Sequence, residues 1–197
     1  MDAESTVLVT RDATRFVETL TINRPQKRGA LSFATLRELL RELRRLQDDE
    51  QTRVLVLKGS GGSFCAGMDL REATRAPALP NEALREFNLA SFPQEDRPTP
   101  VYAAIPRLVQ DVLLRLKRLP QIVVGFAEGA AFGGGAGILS ACDYVIATTN
   151  FSFGFSEIKL GFSPDLLFPF LTKQFPIAKL RALVLASRIG AAREAFE

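Results

Sequence analysis

The sequence predicts an α/β fold, and two stretches carry that prediction. In the first, an alternating apolar run at 16–22 is followed by a helical apolar stripe at 33–46 and a short apolar strand at 53–59. Strand, helix, strand is the order of a crossover unit with parallel strands. In the second, at 121–143 (QIVVGFAEGAAFGGGAGILSACD), an apolar run leads through a small-residue bend and three glycines into a helical apolar pattern. It reads as a buried strand, a turn and a helix start. Gly133, Gly134 and Gly135 give up backbone entropy that a plain connection would keep, so they point to close approach of the backbone to something. Two readings of that approach stand. Either the open first-turn N–H groups and the positive end of the helix dipole receive an anion or a polarised carbonyl oxygen, or the glycines serve a tight helix–sheet contact.

The other elements follow in order. Residues 6–10 (TVLVT) and 16–22 (FVETLTI) alternate on either side of a turn-forming RDAT and predict a β-hairpin, closed by Asn23, Arg24 and Pro25. Phe33, Leu36, Leu39, Leu40, Leu43 and Leu46 share one face of the next helix, with Ser32 as its N-cap. After the strand at 53–59 (RVLVLKG), residues 60–70 (SGGSFCAGMDL) expose backbone through glycines and the small Ala66. That loop lies just beyond a strand end, where ligands bind in open α/β architectures. Pro77, Pro80, Pro93, Pro98, Pro100 and Pro106 interrupt residues 71–107, which read as a mobile cover over a site with a short helix at 81–89. Leu108, Val112, Leu116 and Leu119 mark a helix ending at Pro120. Beyond the glycines come a strand at 144–148, alternating Phe151, Phe153 and Phe155, and helices at 164–175 and 177–186. The last residues, AAREAFE, look like the opening of a further helix.

Composition narrows the chemistry. A chain of 197 residues, 47% hydrophobic and 24% charged, is expected to form one domain spanning 1–197 with a substantial core. No apolar run is long enough to span a bilayer, no secretory h-region opens the chain, and Asp2 and Glu4 speak against a transit peptide, so a cytoplasmic location is expected. The absence of histidine excludes Ser-His-Asp, Cys-His and most zinc chemistry. Cys65 and Cys142 sit among small apolar residues and read as buried hydrophobes. The net charge of +3 is spread over helix faces (Arg37, Arg41, Arg44, Arg45; Arg115, Lys117, Arg118), which gives no support to nucleic-acid binding. Neither glycine cluster has the n, n+2, n+5 spacing of a dinucleotide fingerprint, and no GK(S/T) of a phosphate loop occurs.

Four motifs in one order then carry a resemblance: NRPxxxxAL (23–31), SFCAGMDL (63–70), GxAxGGGxG followed by ACD (129–143), and FxxSEIKLGFSP (153–164). Together they resemble the crotonase superfamily of enoyl-CoA hydratases and isomerases, over nearly the whole chain. The resemblance implies a spiral of repeated ββα units, followed by a C-terminal helical region that builds trimers or hexamers and is mostly missing from these 197 residues. It implies an acyl-CoA thioester substrate whose carbonyl oxygen receives the backbone N–H groups of Ala66 and Gly134. Each such donor contributes about a hundred- to thousandfold in rate. It places substrate contacts at Ala30, Gly67, Met68, Asp69, Leu70 and Gly133, although a turn or helix cap holding the loop also accounts for Asp69. Coenzyme A would enter as part of the substrate, with no other cofactor and no metal.

Of the two glutamates that hydratases of the family use, the second matches Glu157 and the first falls at Gly137. Asp165 stands where dienoyl-CoA isomerases carry a second acid; a helix-start aspartate after Pro164 is the plainer reading of it. Moving a double bond needs one group that takes a proton and returns it, whereas hydration uses a second group to orient water, so isomerisation is expected ahead of hydration. The alternatives are a dehydratase acting on carrier-protein thioesters and a non-catalytic acyl-thioester-binding or assembly subunit.

Overall fold

The computed structural model describes residues 5–75, 100–161 and 163–195. The short helix expected at 81–89 and most of the expected cover lie outside them. Eight strands are described: β1 (Val7–Asp12), β2 (Val17–Ile22), β3 (Val54–Gly59), β4 (Ile122–Ala127), β5 (Ala130–Phe132), β6 (Tyr144–Ala147), β7 (Ser152–Gly154) and β8 (Ile189–Ala191). They form a five-stranded sheet in the order β1-β2-β3-β4-β6 and a three-stranded sheet in the order β5-β7-β8. The predicted hairpin is present, with β1 antiparallel to β2, while β2, β3, β4 and β6 run parallel.

Helix α1 (Phe33–Gln47) makes the first crossover. Its N-terminus is fixed as expected, since Ser32 Oγ accepts the Thr35 N–H at 3.1 Å and satisfies one of the unpaired first-turn donors. Leu36, Leu39, Leu40, Leu43 and Leu46 are buried along one stripe of that helix. Helix α2 (Leu70–Arg75) is short, and α3 (Pro100–Leu116) is longer than the expected helix because it runs through Pro106. Proline there forfeits one helical hydrogen bond, but Ile105, Leu108, Val109, Val112, Leu113 and Leu116 bury a long apolar face that holds the helix together. Helix α4 (Gly134–Ala141) leads back into β6. The helix expected at 164–175 is instead a 3-10 turn (Asp165–Leu167) and a single α turn, α5 (Phe168–Leu171), before α6 (Ile177–Leu185).

Every parallel strand, on leaving the main sheet, continues into a short segment of a second layer. The segments after β2 and β3 meet at the Leu31–Met68 bridge, those after β3 and β4 at the Cys65–Ala131 bridge, and those after β4 and β6 as β5 beside β7. The chain therefore winds as strand, short strand and helix, turn after turn, and stacks its strand-end loops side by side. Gly59 makes the first of these exits from β3. A β-carbon there would lie 2.0 Å from Ser63 O and 2.4 Å from Phe64 O, backbone atoms that cannot step aside. Gly59→Ala should therefore destabilise the fold by about 1–3 kcal/mol in urea unfolding. Gly62→Ala, where nothing lies within 4 Å and only a positive φ opposes the change, should cost no more than about 1–2 kcal/mol.

Candidate active site

Two backbone amides open into one cavity, and the winding of the chain puts them there. Along an extended segment, successive residues turn their N–H and C=O groups to opposite sides. Cys65 faces β5, donating its N–H to Ala130 O at 2.9 Å and accepting from the Phe132 N–H at 2.9 Å. Ala66 faces the other way, and its N–H donates to Arg28 O at 2.9 Å. Gly67 then breaks the alternation with φ +87°, a conformation glycine adopts without strain. Its C=O also turns away from β5 and accepts the Leu31 N–H at 2.7 Å, while the Asp69 N–H donates to Leu31 O at 3.0 Å. Met68, between them, faces back toward β5, and its N–H has no partner among the described residues.

The expected register of this donor is thereby corrected. Ala66 lines the cavity, but its N–H is already engaged; the open N–H on this loop belongs to Met68, expected only as a substrate contact. Gly67 brings the loop against β5, where a β-carbon on it would stand 2.9 Å from Phe132 O.

The second amide is at the start of α4, as expected. Gly133 caps the helix with φ 51° and donates its own N–H to Gly154 O at 2.9 Å. The N–H of Gly134 is a first-turn donor with no protein partner among the described residues, and it carries the positive end of the helix dipole. Gly135 serves the packing reading of the glycines, because a β-carbon there would be 2.5 Å from Cys65 O. The packing reading holds for Gly135, and the Gly134 N–H stays open for the other.

Glu157 begins the 3-10 turn Glu157–Leu160 just after β7. Its carboxylate rests on the bare backbone of Gly133, where a β-carbon would lie 2.5 Å from Oε1. Oε2 is buried with no hydrogen-bond partner among the described residues. Burial raises the pKa of this carboxyl above the ordinary glutamate value, against the opposing pull of the backbone amides of Glu157 and Ser156. Met68, Gly134 and Glu157 line the same cavity, whose other walls are largely apolar, among them Ile105, Val109 and Leu167. A buried carboxylate oxygen and two amides, all without partners among the described residues, cost stability, and a ligand oxygen that accepts from the amides would relieve part of it.

The remaining expected residues divide. Gly67, Leu70 and Gly133 line the cavity. Asp69 does not, and acts as the helix-cap residue that sequence alone allowed: Oδ1 accepts the Arg71 and Glu72 N–H groups at 3.2 and 3.4 Å. Ala30 does not line it either; its C=O accepts from Arg24 Nη1 at 2.6 Å. Asp165 is not brought to the site. It is exposed, absent from the cavity wall, and accepts a hydrogen bond from the Ser163 hydroxyl, because the 3-10 turn at 165–167 points Leu167 inward instead. Cys65 and Cys142 are buried and their thiols pushed up to about 12 by burial, which leaves them inert.

Two residues were not anticipated. Arg24 donates to Ala30 O and, at 2.8 Å, to Asp69 Oδ2, so one guanidinium ties the 23–31 segment to the loop that carries Met68. Leu167 packs on Gly137. Nothing local marked either, since each meets its partner across the fold. Among the described residues no three Cys, Asp or Glu side chains gather as metal ligands, and no described helix is long and apolar enough to cross a membrane.

The fold and cavity define an α/β spiral that presents two backbone donors and one partly desolvated carboxylate to a largely apolar cavity. Comparison with known proteins agrees: the family model for enoyl-CoA hydratase/isomerase matches residues 17–185, and the chain belongs to that family. It is 32% identical over 184 residues to the enoyl-CoA hydratase EchA19 of Mycobacterium tuberculosis, covering 90% of this chain and 60% of that protein. It is 36% identical over 146 residues to the hydroxycinnamoyl-CoA hydratase-lyase of Pseudomonas fluorescens, covering 74% and 47%. Among solved structures, Pseudomonas aeruginosa AtuE superposes with a TM-score of 0.79 at 31% identity, over 97% of this chain and 66% of that one. An enoyl-CoA hydratase/isomerase from Marinobacter aquaeolei does so with a TM-score of 0.82 at 27% identity, over 96% and 66%. The expected crotonase-like spiral is the observed fold, and the chain spans roughly half to three fifths of the curated relatives it matches.

The Arg24–Asp69 pair makes the loop's stability pH-dependent. Burial alone would raise the Asp69 pKa, but the Arg24 hydrogen bond, the Glu72 and Arg71 amides and the Arg24 charge outweigh it and hold the pKa below the ordinary value. A depressed native pKa means fewer protons bound in the native than in the unfolded state. The contribution is full above the ordinary aspartate range and is lost as pH falls through the lowered native value. Arg24→Met should reduce stability at neutral pH by about 1.5–3 kcal/mol and flatten that acid-side loss, read from urea midpoints across pH 2–7.

Proposed function

We propose that the chain binds an unsaturated acyl-CoA thioester and shifts its double bond, with Glu157 as the sole proton carrier. The observation that carries this reading is the Glu157 carboxylate, whose buried Oε2 has no hydrogen-bond partner among the described residues, sharing one cavity with the Met68 and Gly134 amides that lack partners there too. The thioester oxygen accepts both N–H groups, so the negative charge that develops on it is stabilised by donors already in place. Glu157 takes a proton from the α-carbon of a 3-enoyl thioester, the electron pair forms the enolate, and the double bond moves from C3–C4 to C2–C3. The same carboxyl then returns the proton to C4. Net charge and atoms balance with no water added and no cofactor beyond the coenzyme A of the substrate. The absence of any side chain at Gly137 and the outward position of Asp165 support a single acid/base.

Hydration of a 2-enoyl thioester is the second reading, favoured by relatives that are hydratases, EchA19 among them. One assay separates the two: a 3-enoyl-CoA is followed by the rising absorbance of the conjugated thioester, a 2-enoyl-CoA by its loss. Isomerisation should dominate, and Glu157→Gln should lower it by about 10²- to 10⁴-fold, since the amide keeps the shape but accepts no proton. The rate should fall as pH drops through the raised Glu157 pKa, because only the carboxylate is a base. Near-normal turnover in Glu157→Gln would overturn the proposal.

A further inference from the structure

Gly133 and Gly137 lie on one face of α4, a turn apart, with the Gly137 N–H donating to Gly133 O at 3.0 Å. Each receives a side chain from the segment after β7. A β-carbon on Gly133 would meet Glu157 Oε1 at 2.5 Å; a β-carbon on Gly137 would meet Leu167 Cδ2 at 2.7 Å, with Cδ1 and Cγ at 3.5 and 3.6 Å. Leu167 is 5% exposed and held in place on both sides, its N–H donating to Pro164 O at 2.9 Å and the buried Phe170 and Leu171 following it. Carboxylate and isobutyl group thus rest on bare backbone at the cap and one turn along, and both residues line the cavity.

We infer that Leu167, seated on Gly137, determines the outcome of the reaction by denying a water its place beside Glu157. The inference rests on the proposed acyl-thioester chemistry and extends it. An ordered water needs two to four polar partners. On the Leu167 side of Glu157 the wall, among the described residues, is hydrocarbon and glycine, and Leu167 fills the volume that a polar side chain on residue 137 would need. Of the cavity's hydroxyls, Ser156 belongs to the residue preceding Glu157 and Ser163 is bonded to Asp165. A proton taken by Glu157 therefore returns to carbon, and the site favours 3-enoyl thioesters that isomerise over 2-enoyl thioesters that hydrate.

Two measurements on the full 197-residue chain test this. In thermal unfolding, Gly137→Ala should lower the midpoint in the wild-type background and much less in Leu167→Ala, the non-additivity expected of groups in contact. In turnover, Leu167→Ala should raise the ratio of 2-enoyl-CoA hydration to 3-enoyl-CoA isomerisation about tenfold or more, the usual worth of reshaping an apolar pocket. Leu167→Val, a smaller excision that spares the turn, should raise it less in the same direction. Equal effects of Gly137→Ala in both backgrounds, or an unchanged ratio in folded, active Leu167 variants, would overturn the inference and leave the assignment of Glu157 intact. A wild-type chain that converts neither thioester would overturn the proposed function and the inference with it.

Discussion

The site depends on one steric fact, the lack of a side chain at Gly133, Gly134, Gly135 and Gly137 around the start of the helix at 134–141. A helix start must find partners for its first N–H groups or leave them to a ligand. Here Gly133 lets the Glu157 carboxylate lie against the cap, Gly135 lets the 64–70 loop pass at contact distance, and Gly137 admits Leu167. Three close approaches on one short helix leave the Gly134 amide facing a cavity rather than a neighbouring chain. Any β-carbon on those three residues would push away one wall of the site.

Electrostatics add to that geometry. Glu157 sits where its charge is poorly solvated, with one oxygen lacking any partner among the described residues, so its proton affinity rises toward the range useful for a base. The two open amides are neutral donors aimed from opposite layers of the fold, one from a helix start and one from the 64–70 loop. Holding the second in register falls to the Arg24–Asp69 pair, with side chains 18% and 11% exposed, which joins the loop to the segment after β2. The stacked strand-end segments thus bring a loop and a helix N-terminus from different turns of the spiral to one cavity.

Much of this was legible in the residues. The hairpin, the Ser32-capped helix, the parallel strands and the glycine-led helix start follow from periodicity and capping, because those are local effects. What was not legible was non-local or conformational. The donor on the 64–70 loop is Met68 and not Ala66 because the positive φ of Gly67 breaks the backbone alternation, and a motif does not state φ. For Asp165 the resemblance allowed a second acid and the residues themselves a helix start; a 3-10 turn has a different pitch from the expected α-helix and leaves it in solvent. The three-residue strands β5 and β8 are too short to show a period, whereas the alternation of Phe151, Phe153 and Phe155 marked β7. Arg24 read as part of the close of a strand before proline, and Leu167 as one more apolar residue of the helix expected at 164–175; their partners lie 45 and 30 positions away.

The central claim is that Glu157 removes an α-proton while Met68 and Gly134 hold the thioester oxygen. It can be isolated from double-bond chemistry by giving the protein a saturated acyl-CoA in D₂O and following the α-carbon protons by NMR. The account predicts that α-hydrogen exchanges for deuterium with wild-type protein and that exchange falls to the uncatalysed rate in Glu157→Gln. Exchange that persists undiminished without the carboxylate, or no exchange with the wild-type chain under conditions where the thioester binds, would contradict it.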